Sequence, residues 1–265
     1  MTGRFAACEI SLRQGSLEAD VALVRAAGVE AIGVTGDAVD HVGVDEARRI
    51  LDGEGVRVSS YVGAGIILDG DGRVASVDDT ARHVEAAAAL GAPGALVITG
   101  PVGTLAVSDA DAICREWLAK AGARAVDCGI RIMLEPIHPL MRHLTFVHTV
   151  EHGLALTDGI EGAGIVLDVG HVWWQRNVNT LIADNIEHIV SVQLTNVDGA
   201  ALADFRYQRT PLDTGDIPVA SLIRLLEASG YGGWYEWEVI MRTPRDERLD
   251  LLRSEREWFA DVMAP

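Results

Sequence analysis

Residues 130–171 read IRIMLEPIHPLMRHLTFVHTVEHGLALTDGIEGAGIVLDVGH. Two short apolar runs, Ile130–Glu135 and Gly164–Val169, have the length and the Ile/Leu/Val content of strands buried on both faces. Between them, Phe146–Thr157 has the length and spacing of a helix. Strand, helix and strand in that order make a parallel crossover unit. Both runs end in an acid, Glu135 in one and Asp168 in the other.

The same rhythm extends in both directions. Towards the C-terminus, strand Ile189–Leu194 is preceded by helix Asn177–Asn185 and followed by helix Val219–Ser229. Strand Gly233–Val239 and helix Arg245–Val262 complete that half. Towards the N-terminus, strands are expected at Phe5–Ile10, Glu30–Val34, Val56–Val62 and Ala95–Thr99. Helices are expected at Leu17–Ala27, Asp45–Leu51, Val77–Leu90 and Asp109–Asp127. Gly28 and Gly91 stop the first and third of these helices, and Pro93 follows closely on Gly91. Eight strand-then-helix units in 265 residues predict an α/β fold, one (β/α)8 TIM barrel spanning 1–265. An open doubly wound sheet is the rival, but no strand is followed by a G-x-G-x-x-G or G-x-x-x-x-G-K-[ST] loop. The longest irregular stretch, Asn196–Pro218, follows strand seven, where loops of a barrel cover the active site.

The bulk numbers narrow the partners. Hydrophobic residues make up 49% of the chain and charged residues 23%, so a large core is available. A formal net charge of -17 repels phosphate backbones and anionic lipid, which argues against nucleic-acid and membrane partners. Cys8, Cys114 and Cys128 have neither disulfide-framework nor zinc-finger spacing and read as thiols of a reducing, cytoplasmic protein. No long apolar segment marks a signal peptide at Met1–Phe5 or a membrane span elsewhere.

Function in a barrel collects where strands end. Strand five ends Met133-Leu134-Glu135-Pro136, and strand six ends Leu167-Asp168 before Val169-Gly170-His171. Strand seven carries Val192-Gln193-Leu194, and strand eight Trp237-Glu238-Val239. Three carboxylates converging on one mouth cannot all stay ionised without a cation. One divalent metal resolves this, and hard oxygen ligands suit Mn2+ or Mg2+. Each acid alone is better read as a helix cap or an arginine partner; the set on neighbouring strands is not.

The second half, from about Ile130 to Glu238, resembles the xylose isomerase-like TIM barrel superfamily, which includes ketose 3-epimerases, hydroxypyruvate isomerase, inosose dehydratase and endonuclease IV. The matching pieces are Leu134-Glu135-Pro136-Ile137-His138-Pro139, Leu167-Asp168-Val169-Gly170-His171, Gln193, and Gly230-Tyr231-Gly232-Gly233-Trp234 leading to Glu238. Arg209-Thr210-Pro211-Leu212-Asp213-Thr214-Gly215-Asp216 is similar to the family's arginine and glycine-acid turn. The resemblance implies a metal on Glu135, Asp168, Gln193 and Glu238, manganese first, with Mg2+, Co2+ or Zn2+ as alternatives. Two positions depart from the family: Gln193 stands where histidine is commonest, and Asn196 where an aspartate is common, with Asp198 nearby. An amide oxygen still binds a hard cation, but more weakly.

A metal gripping a carbonyl and the neighbouring hydroxyl would acidify the α C–H and stabilise an enediolate. Glu135 and Glu238 could then serve as paired base and acid. His171 and Arg209 are placed to hold substrate oxygens, with His138 and Trp173 as further substrate contacts; for Arg209 and His138 a purely structural role is an equal alternative, and for Trp173 core filling is at least as good. Glu236 shares the strand face of Glu238 and is an alternative ligand. His143, His148 and His152 read as an exposed helical face, and Ser60, Tyr61 and Thr99 lie near strand ends. The expected function is isomerisation or epimerisation of a small sugar or keto-sugar. A lyase on the same scaffold is the runner-up, followed by a non-catalytic sugar-binding barrel. A multi-zinc DNA endonuclease is disfavoured by the net charge. Relatives of this kind often dimerise, so a homodimer stays open.

Overall fold

The computed structural model describes residues 4–12, 14–240 and 244–264, with the Arg245 side chain left aside. Eight parallel strands close into a barrel: Phe5–Cys8, Ala31–Thr35, Arg57–Ile66, Gly94–Ile98, Arg131–Leu134, Ala163–Asp168, Ile189–Leu194 and Tyr235–Trp237. They are called strands one to eight below. Strand eight lies between strands one and seven, which seals the ring. Helices fill the connections, as the alternating pattern of the sequence requires.

Two packing layers follow from strand alternation. Residues pointing outwards, such as Ala95 and Val97 of strand four, meet the helices in the larger core. Residues pointing inwards form a separate small cluster of Cys8, Val62, Leu96, Met133 and Val166, with Ile10, Ile98 and Val190 packed against it. The rest of the interior is polar. Gln193 is paired with Asp168 on strand six and with Glu236 on strand eight, so all three side chains face the lumen. Glu236 is fully buried and accepts from the Ser59 hydroxyl at 2.6 Å. A register shift beside strand two inserts one extra residue into strand three at this point, which turns Ser60 towards Glu236 as well. A Cβ on Gly33 would stand 2.8 Å from the Glu236 carboxylate, so glycine makes the room for it.

Several boundaries move relative to expectation. Strand one stops at Cys8 and a short helix, Glu9–Leu12, replaces its last residues. Glu9 there accepts from the Thr35 N–H at 2.6 Å and hydroxyl at 2.8 Å, which bends the chain across the barrel rim. The helix expected from Phe146 begins at Val150, because Thr149 caps it by accepting from the His152 N–H at 3.1 Å. The preceding residues are extended instead, with the Ile137 N–H donating to Val147 at 3.0 Å. His148 and His152 are half-buried rather than an exposed face, bonded to the Ile137 carbonyl and to Asp111, and only His143 is exposed. Tyr61 packs in the outer core and bonds His83, and Thr99 bonds Thr145, so neither lines the mouth. Among the described helices, none is long and apolar enough to cross a membrane.

The long loop after strand seven is built, not loose. Asn196–Val197 and Arg209–Thr210 pair as a two-stranded antiparallel ribbon, with helix Gly199–Ala203 between them. Asn196 accepts from the N–H groups of Val197 and Ile217 and donates to the carbonyls of Leu212 and Ile217. Asp198 caps the short helix through Ala200 and Ala201. Both residues are therefore spent on loop structure, and Asp198 does not compensate for a missing ligand.

The last helix, Arg248–Val262, covers the seam between strands one and eight. Phe259 packs on Phe5 and Tyr235 with ring centroids 5.1 and 5.3 Å apart. Glu255 of the same helix accepts from the Trp237 indole and the Leu212 N–H, both at 2.9 Å, tying strand eight and the loop to one carboxyl. Burial pushes Glu255 up to about 7, against the pull of those two donors. A carboxyl raised in the folded state stabilises the fold below its unfolded value and loses that contribution as pH rises through the folded one. Stability is expected to fall by about 2–3 kcal/mol between roughly pH 4.5 and 7, and Glu255→Gln should flatten that slope. Urea denaturation of both proteins across this range is the check; parallel pH profiles would contradict it.

Candidate active site

Three strand ends and the loop ribbon bring five charged or polarisable side chains to the C-terminal mouth. Glu135 follows strand five, Asp168 ends strand six, and His171 lies in the turn of helix Val169–Val172 that Asp168 itself caps through Gly170. Glu238 follows strand eight, and Arg209 reaches in from the ribbon. All five are buried. Ligand atoms of Glu135, Asp168 and His171 lie within 4.8 Å of one another.

Arg209 is the positive charge at the centre. It donates to Asp168 Oδ2 at 2.6 Å and to the Glu238 carbonyl at 2.5 Å, and lies 3.4 Å from Glu238 Oε2. Its other contact is His171 Nε2 at 3.2 Å. Burial would strip charge from the guanidinium, but the Asp168 and Glu238 carboxylates outweigh burial and hold it protonated. Burial likewise works against an ionised Asp168, yet Arg209 pulls this carboxyl below the ordinary range. Glu135 and Glu238 are not compensated to the same degree. Burial, then the charges of Glu238 and Asp168, push Glu135 well above the usual carboxylate range. Glu238 rises to about 8, chiefly from burial. His171 falls to about 3, again chiefly from burial, so its ring is neutral and can offer a lone pair.

This arrangement fits a divalent cation. Gln193 Oε1 and Glu238 Oε2 are buried without a hydrogen-bond partner, and His171 Nε2 faces Glu135 and Asp168 at 3.9 and 3.5 Å. Two oxygens and an imidazole nitrogen already converge, a donor set suited to Mn2+, Co2+ or Zn2+. Of the four expected ligands, Glu135 and Asp168 stand in this cluster, and Glu238, which faces the same cavity, lies outside it. His171, expected to contact substrate, stands with Glu135 and Asp168, whereas Gln193 is paired with Glu236 and Asp168.

The other expected contacts divide. Arg209, Glu135, His171 and Glu238 line a mouth cavity of about 650 Å3. His138 does not reach it: its ring lies 5.3 Å from Tyr207, which lies 5.4 Å from His171 and so stands between them. Nδ1 of His138 accepts from the Leu140 N–H at 3.2 Å, capping a short turn. Trp173 packs against the main core instead of walling the cavity, because its helix turns that ring inwards. Its neighbour Trp174 is the exposed one and donates to the His171 carbonyl at 2.9 Å. Glu236 is buried in the lumen, and Glu238 is the acid of strand eight that faces the cavity. Tyr207 was not anticipated. It precedes Arg209 by two residues, so the alternation of an extended segment places both side chains on one face, a signal present in the sequence.

A family model described as "Xylose isomerase-like TIM barrel" matches residues 21–262. No curated protein sequence matches the chain significantly. Among solved structures, protein SMc04130 from Sinorhizobium meliloti 1021 is 24% identical, with 100% of each chain covered and a TM-score of 0.88. The IolI protein with a binding zinc atom is 14% identical, covering 98% of this chain and 97% of its own, at a TM-score of 0.81. The 3-keto-D-glucoside 4-epimerase YcjR from E. coli is 16% identical, covering 96% and 99%, at a TM-score of 0.77. At these identities the likeness shows the fold.

Removing one partner from a buried charge cluster costs about 3–5 kcal/mol. Arg209→Met, in the presence of chelator, is expected to lose roughly that much stability at pH 9, where Glu238 is ionised. The loss should shrink at pH 7, below the value of about 8 at which Glu238 takes up its proton. Urea unfolding at both pH values reads it; an equal loss at both would show that Arg209 does not offset this carboxylate.

Proposed function

Given that the chain belongs to the xylose isomerase-like TIM barrel family, we propose that it is a divalent-metal-dependent isomerase or epimerase acting on the carbon beside a carbonyl of a small keto-sugar. The observation carrying this reading is the pair of buried carboxyls that line the cavity, Glu135 and Glu238, on strand ends separated by strands six and seven. Glu135, Asp168, His171 and Glu238 would hold the metal, with the Gln193 amide oxygen beside Asp168. When bound, such an ion withdraws electron density from a substrate carbonyl and makes the neighbouring C–H more acidic.

The chain's own residues then account for proton transfer. One carboxylate, Glu135 or Glu238, takes the proton from carbon, and the other returns one. The Arg209 guanidinium, 5.8 Å from the centre of the Tyr207 ring, donates towards charge that develops on oxygen. His171 would lend its neutral ring to the metal.

Proton exchange tests the reading without knowledge of the natural substrate. Manganese-loaded protein in D2O with D-fructose, D-tagatose or hydroxyacetone is expected to exchange protons on the carbon bearing the hydroxyl, followed by 1H NMR. Glu135→Gln and Glu238→Gln should each slow exchange by about 10^2–10^4-fold. Undiminished exchange in both variants would contradict the carboxylate pair, as would its absence from the loaded parent with all three compounds.

A further inference from the structure

The cavity has two unlike walls. In a ring of eight strands, strand four stands opposite strand eight and strand three opposite strand seven. The wall on strands five to eight and the ribbon carries Glu135, His171, Arg209 and Glu238. The facing wall carries Val62 and Ile66 from strand three and Leu96 and Ile98 from strand four, flanked by Ile10 and Ile240. Ile66 and Ile240 are 51% and 39% exposed, so apolar surface continues to the rim.

Apart from Asp37, exposed at the rim beside strand two, the polar side chains near that wall are already engaged. The Ser59 hydroxyl donates to Glu236, the Thr99 hydroxyl is bonded to Thr145, and Thr35 donates to Glu9. A free ketose has a hydroxyl on every carbon past the carbonyl. Pressing those hydroxyls against isoleucine, leucine and valine side chains would leave them unpaired, at about 1–3 kcal/mol each. A cavity of about 650 Å3 also has room for more than a three-carbon head.

We propose that the substrate is an amphipathic α-hydroxyketone, with its hydroxyketone head on Glu135, His171, Arg209 and Glu238 and an alkyl or aryl group against the Val62, Ile66, Leu96 and Ile98 wall. This rests on the hydroxyketone reading of the site but goes beyond it, because the polar wall alone would accept any small keto-sugar. The apolar wall selects the tail. The outward continuation through Ile66 leaves room for a tail longer than the enclosed part of the cavity.

The test is binding to the manganese-loaded protein along a homologous series. Hydroxyacetone, 1-hydroxy-2-butanone, 1-hydroxy-2-hexanone, 1-hydroxy-2-octanone and 2-hydroxyacetophenone keep the head and change only the tail. Calorimetry should show affinity rising about threefold to fourfold per buried methylene, so that 1-hydroxy-2-hexanone binds at least tenfold more tightly than hydroxyacetone. Ile98→Asn should remove most of that increment. Ile66→Ser, at an exposed rim position, should reduce the gain between the hexanone and the octanone. Equal affinity along the series, or no binding of its longer members, overturns the proposal. Proton exchange on the same compounds separates the two readings. Exchange with no dependence of binding on the tail would sink the apolar-tail proposal alone, whereas tail-dependent binding without exchange would sink the isomerase reading and keep the wall.

Discussion

The site is organised by the cost of burying negative charge. Glu135, Asp168 and Glu238 are buried at one mouth with a single guanidinium, and Arg209 bonds one of them fully, at 2.6 Å. That single ion pair explains the divergent proton affinities. Asp168 is held ionised, while Glu135 and Glu238 are driven towards their neutral forms by burial and mutual repulsion. A cluster with one cation for three acids has a deficit of positive charge, and a divalent ion is the group that removes such a deficit without further protonation.

The rest of the fold serves to hold that arrangement. Arg209 is delivered by a ribbon whose shape depends on Asn196 and on Gly215, where a Cβ would come within 2.4 Å of the Asn196 amide oxygen and φ is 147°. The ribbon's outer end is tied by Glu255 to the strand that presents Glu238. Below the mouth, Glu236 with Ser59 and Ser60 fills the polar half of the lumen, and Cys8, Val62, Leu96, Met133 and Val166 fill the other half. The division of the cavity into a charged and an apolar wall therefore begins one layer deeper, inside the barrel.

The barrel itself was legible because buried parallel strands are short, apolar and regularly spaced, and all eight lie where that spacing puts them. The acids at strand ends were legible for the same reason: Glu135, Asp168 and Glu238 interrupt apolar runs at equivalent heights. Boundaries were less so. Phe146 and Val147 have no helical partner set, and only the Thr149 cap decides where the helix starts. His138 and Trp173 sat near the right strand ends, but which way a ring turns is decided by packing around it, and Tyr207 took the place expected for His138. The ion pair between Arg209 and Asp168 joins residues 41 positions apart through a loop with no regular period, so no local pattern could announce it. The apolar wall is likewise a property of strands facing one another across the ring.

The most direct measurement is the metal content of protein purified without chelator, by elemental mass spectrometry, beside a Glu135→Gln/Glu238→Gln double variant. About one equivalent of divalent metal in the parent, lost in the variant, is the predicted result. A parent that carries none, and binds none when Mn2+ is supplied, would show that Arg209 alone balances the buried acids and that the barrel works without a metal.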